Sequence, residues 1–187
     1  MRPNWFVAFP VPAGPWLERA LAEAPPGLRL FHGDDLHVTL AFLGLVPEAE
    51  ARAAWAVAAS AAASMPAVDA TLGPGVAMGS LHRGSALSAL IAEGNEPLAS
   101  AIGAARTAIL TAASARPDER PPKPHVTLAR PTKRATLAER SAALAWAQTL
   151  DLGAPRVRID RLALYTWSED RAQRLFRIAA QAPLRGL

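Results

Sequence analysis

The chain contains no cysteine, which excludes disulfides and thiolate metal sites and fits a reducing compartment. Lysine is almost as scarce: 18 of the 20 basic residues are arginine, so the positive charge sits on planar guanidinium groups suited to bidentate phosphate contacts. An arginine- and alanine-rich composition equally reflects the base composition of a genome. No uninterrupted apolar stretch is long enough to cross a bilayer. The start, Met1-Arg2-Pro3-Asn4, leads directly into a strand pattern without a separate cleavable apolar segment. These absences together predict a cytoplasmic protein that uses no membrane.

At 187 residues, 51% of them hydrophobic, the chain is long and apolar enough to bury a real core, and the simplest reading is one domain over residues 1–187. Its net charge of +4 is unevenly placed. Residues 116–187 carry 14 Lys/Arg against 7 Asp/Glu, whereas residues 1–115 carry 6 against 9. The basic half suits an anionic partner, although a solvated surface accounts for it as well.

Trp5 to Phe9 is aromatic and β-branched enough for a first strand, and residues 15–24 follow as a short helix with Leu17 and Leu21 on one side. Pro47 stands where a second helix starts, and Trp55, Ala58, Ala62 and Met65 recur at helical spacing until Pro66. Gly73-Pro74-Gly75 and Arg83-Gly84 break residues 67–92 into two or three strands joined by tight turns. A helix fits 96–114, with Leu98, Ile102, Ala105 and Ile109 on one stripe; a proline-rich loop runs from 114 to 124; another helix fits 135–149. Two closing strands, 156–167 and 172–180, flank a polar turn at Ser168-Glu169-Asp170.

Histidine is rare, at four residues, and two of the four begin identical tetrapeptides: His37-Val38-Thr39-Leu40 and His125-Val126-Thr127-Leu128. In a strand, residues i and i+2 share a face, so each copy presents His and Thr together and turns Val and Leu into a core. Each copy lies on a strand followed by a helix and further strands, and the two are 88 residues apart, close to half the chain. Two related halves around a pseudo-two-fold axis, with both motif strands lining a central cleft, follow from this spacing. Two imidazoles facing one another suit general acid/base chemistry, because a reference pKa near 6.5 lets one be protonated while the other is free. The hydroxyls of Thr39 and Thr127 could donate to phosphate oxygens, and Arg130 could add a charged contact. No metal or covalent nucleophile is required.

The two segments Leu36-His37-Val38-Thr39-Leu40-Ala41-Phe42-Leu43-Gly44 and Pro124-His125-Val126-Thr127-Leu128-Ala129-Arg130 resemble the paired His-x-Thr-x motifs of the two-histidine phosphoesterase superfamily. Within it the chain is most similar to the RNA 2′,3′-cyclic phosphodiesterases, also called 2′-5′ RNA ligase-like. The resemblance spans nearly the whole chain, from the aromatic first strand to a late strand ending Leu164-Tyr165. It implies an α+β fold: two interlaced lobes, two antiparallel sheets and outer helices around a cleft. It also implies metal-independent, cofactor-free hydrolysis of a terminal 2′,3′-cyclic phosphate to a 2′-phosphomonoester. His37 would be the general acid protonating the departing 3′ oxygen, and His125 the general base activating water. Thr39, Thr127 and Arg130 would hold the phosphate. The substrates would be RNA ends or small cyclic nucleotides, acted on by a monomer with no protein partner. A cleft-facing residue of the first strand would stack on the base. Alternation groups Trp5, Val7 and Phe9 on one face and Phe6 on the other, and leaves open which face looks inward.

Either motif alone reads as a strand with a structural histidine; the repetition in matching contexts is what points to function. His32 and His82 lack the pattern and read as surface or turn residues, and Asp34-Asp35 as a turn rather than a metal site. Tyr165 and Trp167 fit buried packing better than a base-stacking role. Three other functions fit the same residues: reversible 2′-5′ RNA ligation, a noncatalytic RNA-binding module using the arginine-rich face, and, least well, a zinc hydrolase, since two histidines without carboxylates make a poor site.

Overall fold

In the computed structural model, which describes residues 3–79 and 86–186, the two motif strands lie side by side at the middle of one curled antiparallel sheet. The strands are β1 (Trp5–Pro10), β2 (Leu28–Leu30), β3 (His37–Gly44), β4 (Val68–Met78), β5 (Ala86–Glu93), β6 (His125–Pro131), β7 (Arg156–Ile159), β8 (Arg161–Trp167) and β9 (Phe176–Pro183). Their order is β7-β4-β5-β6-β3-β1-β8-β9, with the short β2 also pairing with β6. The helices are α1 (Pro15–Ala22), α2 (Glu48–Ala62), α3 (Asn95–Ala112) and α4 (Leu137–Thr149). The fold is therefore α+β with antiparallel strands, as the sequence indicates. His82 and the turn expected at Arg83-Gly84 lie outside the described residues.

The two sheets implied by the sequence meet at a single pair, Val38 opposite Val126, which joins β3 to β6 and makes the pairing continuous. On one side of this seam stand β3, β1, β8 and β9, on the other β6, β5, β4 and β7. The chain crosses between the sides: β4 follows α2 yet pairs with β5 and β7, and β8 returns to pair with β1. The strand expected at 156–167 is cut at Asp160 into β7 and β8, which serve opposite ends of the sheet. The alternation changes phase there, from buried Val157 and Ile159 to buried Leu162 and Leu164 across the exposed pair Asp160-Arg161, a local mark of the division. The last strand starts at Phe176 rather than 172, because Asp170 holds a turn by accepting from the amides of Ala172 and Gln173 at 2.9 and 3.4 Å.

Two further expectations change. Gly73-Pro74-Gly75 does not end a strand; it forms an irregularity inside the eleven-residue β4, where register shifts between Leu72 and Gly75. Proline lacks the N–H a ladder needs and is tolerated at a bulge. The buried stripe of α2 is Ala51, Ala54, Ala58 and Ala62, with Trp55 only partly buried at its flank. Small residues let α2 approach α3, whose Leu98, Ile102, Ala105 and Ile109 are buried as the spacing predicts. These two helices cover the face carrying Val7, Phe9, Val38, Leu40, Val126 and Leu128, and this is the main core. α4, opened by a reciprocal Thr136–Glu139 capping box, lies on the other face against Leu87 and Ala129 through Ala143 and Ala147. No helix among the described residues is long and apolar enough to cross a membrane.

Close approach rather than turn geometry explains Gly75: a Cβ there would stand 2.2 Å from the Ala147 carbonyl oxygen and 2.8 Å from the Leu150 Cβ. Gly75→Ala should push α4 off β4 and cost about 1–3 kcal/mol, the range for overpacking. Urea denaturation measures this, and an unchanged midpoint would show that α4 yields freely.

Candidate active site

Each motif histidine is the first residue of its strand, and each is anchored in the same way. The His37 Nδ1–H donates to the carbonyl of Asp35, and the His125 Nδ1–H to the carbonyl of Lys123, both at 2.6 Å. A carbonyl only accepts, so the proton of each neutral ring resides on Nδ1, and Nε2 carries the lone pair. The acceptor is two residues upstream in both cases, which the extended approach to a strand provides. Upstream of His125 the approach is stiffened by Pro121, Pro122 and Pro124 and tied to α3: Arg106 donates to the Arg120 carbonyl and pairs with Asp118 at 3.7 Å.

Val38 and Val126 point into the main core, so His37, Thr39, His125 and Thr127 occupy the opposite face of the sheet. Continuing the antiparallel register by one residue on either side of that pair sets His37 across from Thr127 and His125 across from Thr39. The repeated tetrapeptides thus form a four-cornered cluster, each histidine beside the threonine of the other copy. Thr127 is buried, and its hydroxyl lies 3.3 Å from that of Ser88 on β5. The position facing Thr39 on β1 is Ala8, which has no hydroxyl. Nothing in the sequence singles out Ser88; only the pairing of β5 with β6 reveals it.

The environments of the two imidazoles differ. Phe6, Tyr165 and Phe176 surround His37, with ring centroids 4.7, 5.4 and 5.7 Å away, and Phe6 stacks flat on Tyr165 at 4.9 Å. Phe6 is thus the first-strand aromatic on the histidine face, while Trp5, Val7 and Phe9 belong to the core behind. Burial lowers the His37 pKa to about 4; the Asp35 carbonyl pulls the other way, and the charges of Arg130 and His125 add to the depression. Tyr165 is buried as expected, with its hydroxyl unpartnered and its pKa raised by burial, so it stays a neutral phenol. Trp167 is partly buried and carries the Arg171 guanidinium 4.4 Å above its ring. Arg130 is exposed, and its guanidinium rests over Phe31 at 5.6 Å. His32 is an exposed cap that accepts from the Asp34 amide at 3.2 Å.

Asp35 does more than turn the chain. Its buried carboxylate accepts from the Leu175 amide at 2.8 and 3.0 Å and from the Phe176 amide at 2.9 Å. One residue therefore aims His37 through its carbonyl and seats Phe176 against that same ring through its side chain. The partners lie 140 positions away, so sequence carries no signal for this beyond an acidic residue two before a motif histidine. Among the described residues, no three His, Asp or Glu side chains gather as metal ligands would.

Removing this carboxylate leaves two buried amides unpaired, so Asp35→Ala should cost about 3 kcal/mol by urea denaturation, and Asp35→Asn, which keeps one acceptor oxygen, clearly less. A second expectation concerns pH. Because the folded state depresses the His37 pKa from 6.5 to about 4, it binds fewer protons than the unfolded chain in that window. The associated stability is complete above pH 6.5 and is lost as pH falls toward 4, by up to about 3 kcal/mol. His37→Gln should flatten this part of the stability–pH curve; identical slopes in both proteins would refute the depressed pKa.

The chain has clear relatives. Residues 9–171 match the family model described as the 2′-5′ RNA ligase superfamily. Among solved structures, one described as a phosphoesterase has a TM-score of 0.68 at 21% identity, each chain 99% covered. E. coli LigT complexed with 3′-AMP has a TM-score of 0.67 at 22% identity, covering 98% of this chain and 99% of LigT. TT0787 of Thermus thermophilus has a TM-score of 0.67 at 23% identity, covering 98% of each chain. No curated protein matches the sequence. With the family model covering most of the chain and both histidine motifs inside it, this protein belongs to the 2′-5′ RNA ligase superfamily of two-histidine phosphoesterases.

Proposed function

We propose that the protein hydrolyses 2′,3′-cyclic phosphates at RNA ends or on small nucleotides, without a metal, leaving a 2′-phosphomonoester. One observation carries this reading: two imidazoles, each fixed by a 2.6 Å bond from Nδ1 to a backbone carbonyl, present Nε2 from adjacent strands across a two-fold seam. A phosphate seated between them meets a base on one side and an acid on the other.

In the forward reaction the His125 Nε2 takes a proton from water as its oxygen attacks phosphorus. The bond from phosphorus to the 3′ oxygen breaks, and that oxygen takes the proton of His37 Nε2. Thr39 and Thr127 donate to the nonbridging oxygens, with Ser88 orienting the Thr127 hydroxyl. Arg130 adds positive charge at the same end of the site. A free His37 with a pKa of about 4 is neutral at pH 7. The acid role therefore depends on the substrate: an anionic phosphate against the buried ring favours the imidazolium that burial alone disfavours. Water exclusion by Phe6, Tyr165 and Phe176 strengthens that attraction.

Hydrolysis of a nucleoside 2′,3′-cyclic phosphate in EDTA is the direct test. Activity should be present, and His37→Ala or His125→Ala should each lower kcat by about 10²–10⁴-fold. Absent turnover, turnover dependent on added metal, or turnover surviving both substitutions would overturn the assignment. Ligation is the same ring opening with a 5′-hydroxyl of RNA in place of water. Joining of cyclic-phosphate and 5′-hydroxyl ends faster than their hydrolysis would make the protein a ligase instead.

A further inference from the structure

Three arginines outside the paired motif's four corners, Arg29, Arg130 and Arg171, are linked at one end of the site by strand register and a hydrogen bond. Arg29 on β2 is directly opposite Arg130 on β6, so both side chains leave the same face of a two-stranded ladder. Like charges at directly opposed positions repel. The Arg29 guanidinium reaches across to donate to the backbone carbonyl of Arg171, in the turn between β8 and β9. Arg171 in turn holds its guanidinium carbon 4.4 Å over the Trp167 ring, and its Nε is buried without a hydrogen-bond partner. Among the described residues none of the three forms an ion pair: Asp34 is engaged by His32 and Arg174, and Asp35, the adjacent carboxylate, is committed to backbone amides. The cluster adjoins the catalytic face through an aromatic chain, Arg130 over Phe31, Phe31 against Phe176 at 6.4 Å, and Phe176 against His37.

We propose that Arg29 and Arg171, extending the field of Arg130, form a subsite for a second phosphate, the internucleotide phosphate on the 5′ side of the terminal nucleoside. The preferred substrate is then an oligonucleotide rather than a cyclic mononucleotide. Guanidinium groups supply the forked donors that a phosphodiester accepts, three of them stand on separate elements, and the nearby carboxylates of Asp34 and Asp35 are already engaged. This deepens the hydrolase reading by naming its substrate class, and it rests on that reading only for the position of the reacting phosphate.

Affinity of the whole protein for product-like ligands tests the subsite apart from turnover. Calorimetry at low salt compares uridine 2′-monophosphate, the dinucleotide UpU bearing a terminal 2′-phosphate, and the same dinucleotide with an uncharged methylphosphonate linkage. The charged dinucleotide should bind about tenfold or more tighter than the mononucleotide, in keeping with a charged hydrogen bond. Its log affinity should fall more steeply with log salt, by about 0.7 in slope. The neutral linkage should remove the gain. In Arg29→Ala/Arg171→Ala the two charged ligands should agree within about twofold, whereas Arg52→Ala, on the exposed face of α2, should leave the gain intact. Equal binding in the native protein, a gain that survives the neutral linkage or the double substitution, or a gain lost equally in Arg52→Ala would each overturn the subsite. Failure to hydrolyse a cyclic mononucleotide bears on the catalytic reading instead and leaves this binding result decisive.

Discussion

The pairing of Val38 with Val126 is the contact on which the site depends. Among the described residues it is the only pair that joins β3 to β6, and it lies on the axis relating the two tetrapeptides. Because side chains alternate, burying these valines under α2 and α3 obliges the neighbouring histidines and threonines to emerge together on the opposite face. A slip of one residue in either strand would send a histidine into the apolar core and a valine into the site. Burial of two small apolar side chains thus sets the mutual position of four polar ones, and the geometry of the candidate site follows from core packing.

Symmetry supplies the pair, and departures from it supply the difference between its members. The backbone treats both imidazoles alike, with the same hydrogen bond of the same length to the carbonyl two residues before. The surroundings do not. Around His37, Asp35 gathers Phe176, and Phe6 and Tyr165 complete an aromatic wall; the loop leading to His125 is braced instead by prolines and by the Arg106–Asp118 pair. Thr127 has Ser88 beside it where Thr39 has Ala8. Unequal walls on equal backbones lower the proton affinity of His37 while both rings keep the same hydrogen bond.

Much of this is legible in the sequence because it is local. The repeated His-Val-Thr-Leu announces both strands, their buried faces and their half-chain spacing, and the stripe of Leu98, Ile102, Ala105 and Ile109 announces α3. What is not legible depends on partners distant in the chain. Asp35 resembles any turn aspartate until the amides of Leu175 and Phe176 are brought to it. The opposition of Arg29 and Arg130 rests on β2, three residues long and too short to leave a periodic signal. Gly73-Pro74-Gly75 has the composition of a turn and becomes a bulge because β5 pairs with the strand on either side of it, at Leu72 and again from Gly75. The break at Asp160 does leave a local mark, the charged pair Asp160-Arg161 across which the alternation changes phase, but where β7 and β8 then go depends on distant partners.

That break has a consequence for how the molecule is assembled in time. β4, made early, finds both its neighbours, β5 and β7, only in later chain, and β1 finds β8 only near the end. A nascent chain leaving the ribosome therefore holds unpaired strand edges until almost all of it has been synthesised. Pairings of such long sequence separation belong to slow folders. The strands on the two sides of the seam are interleaved along the chain, and cutting the gene at its midpoint would separate strands that need each other.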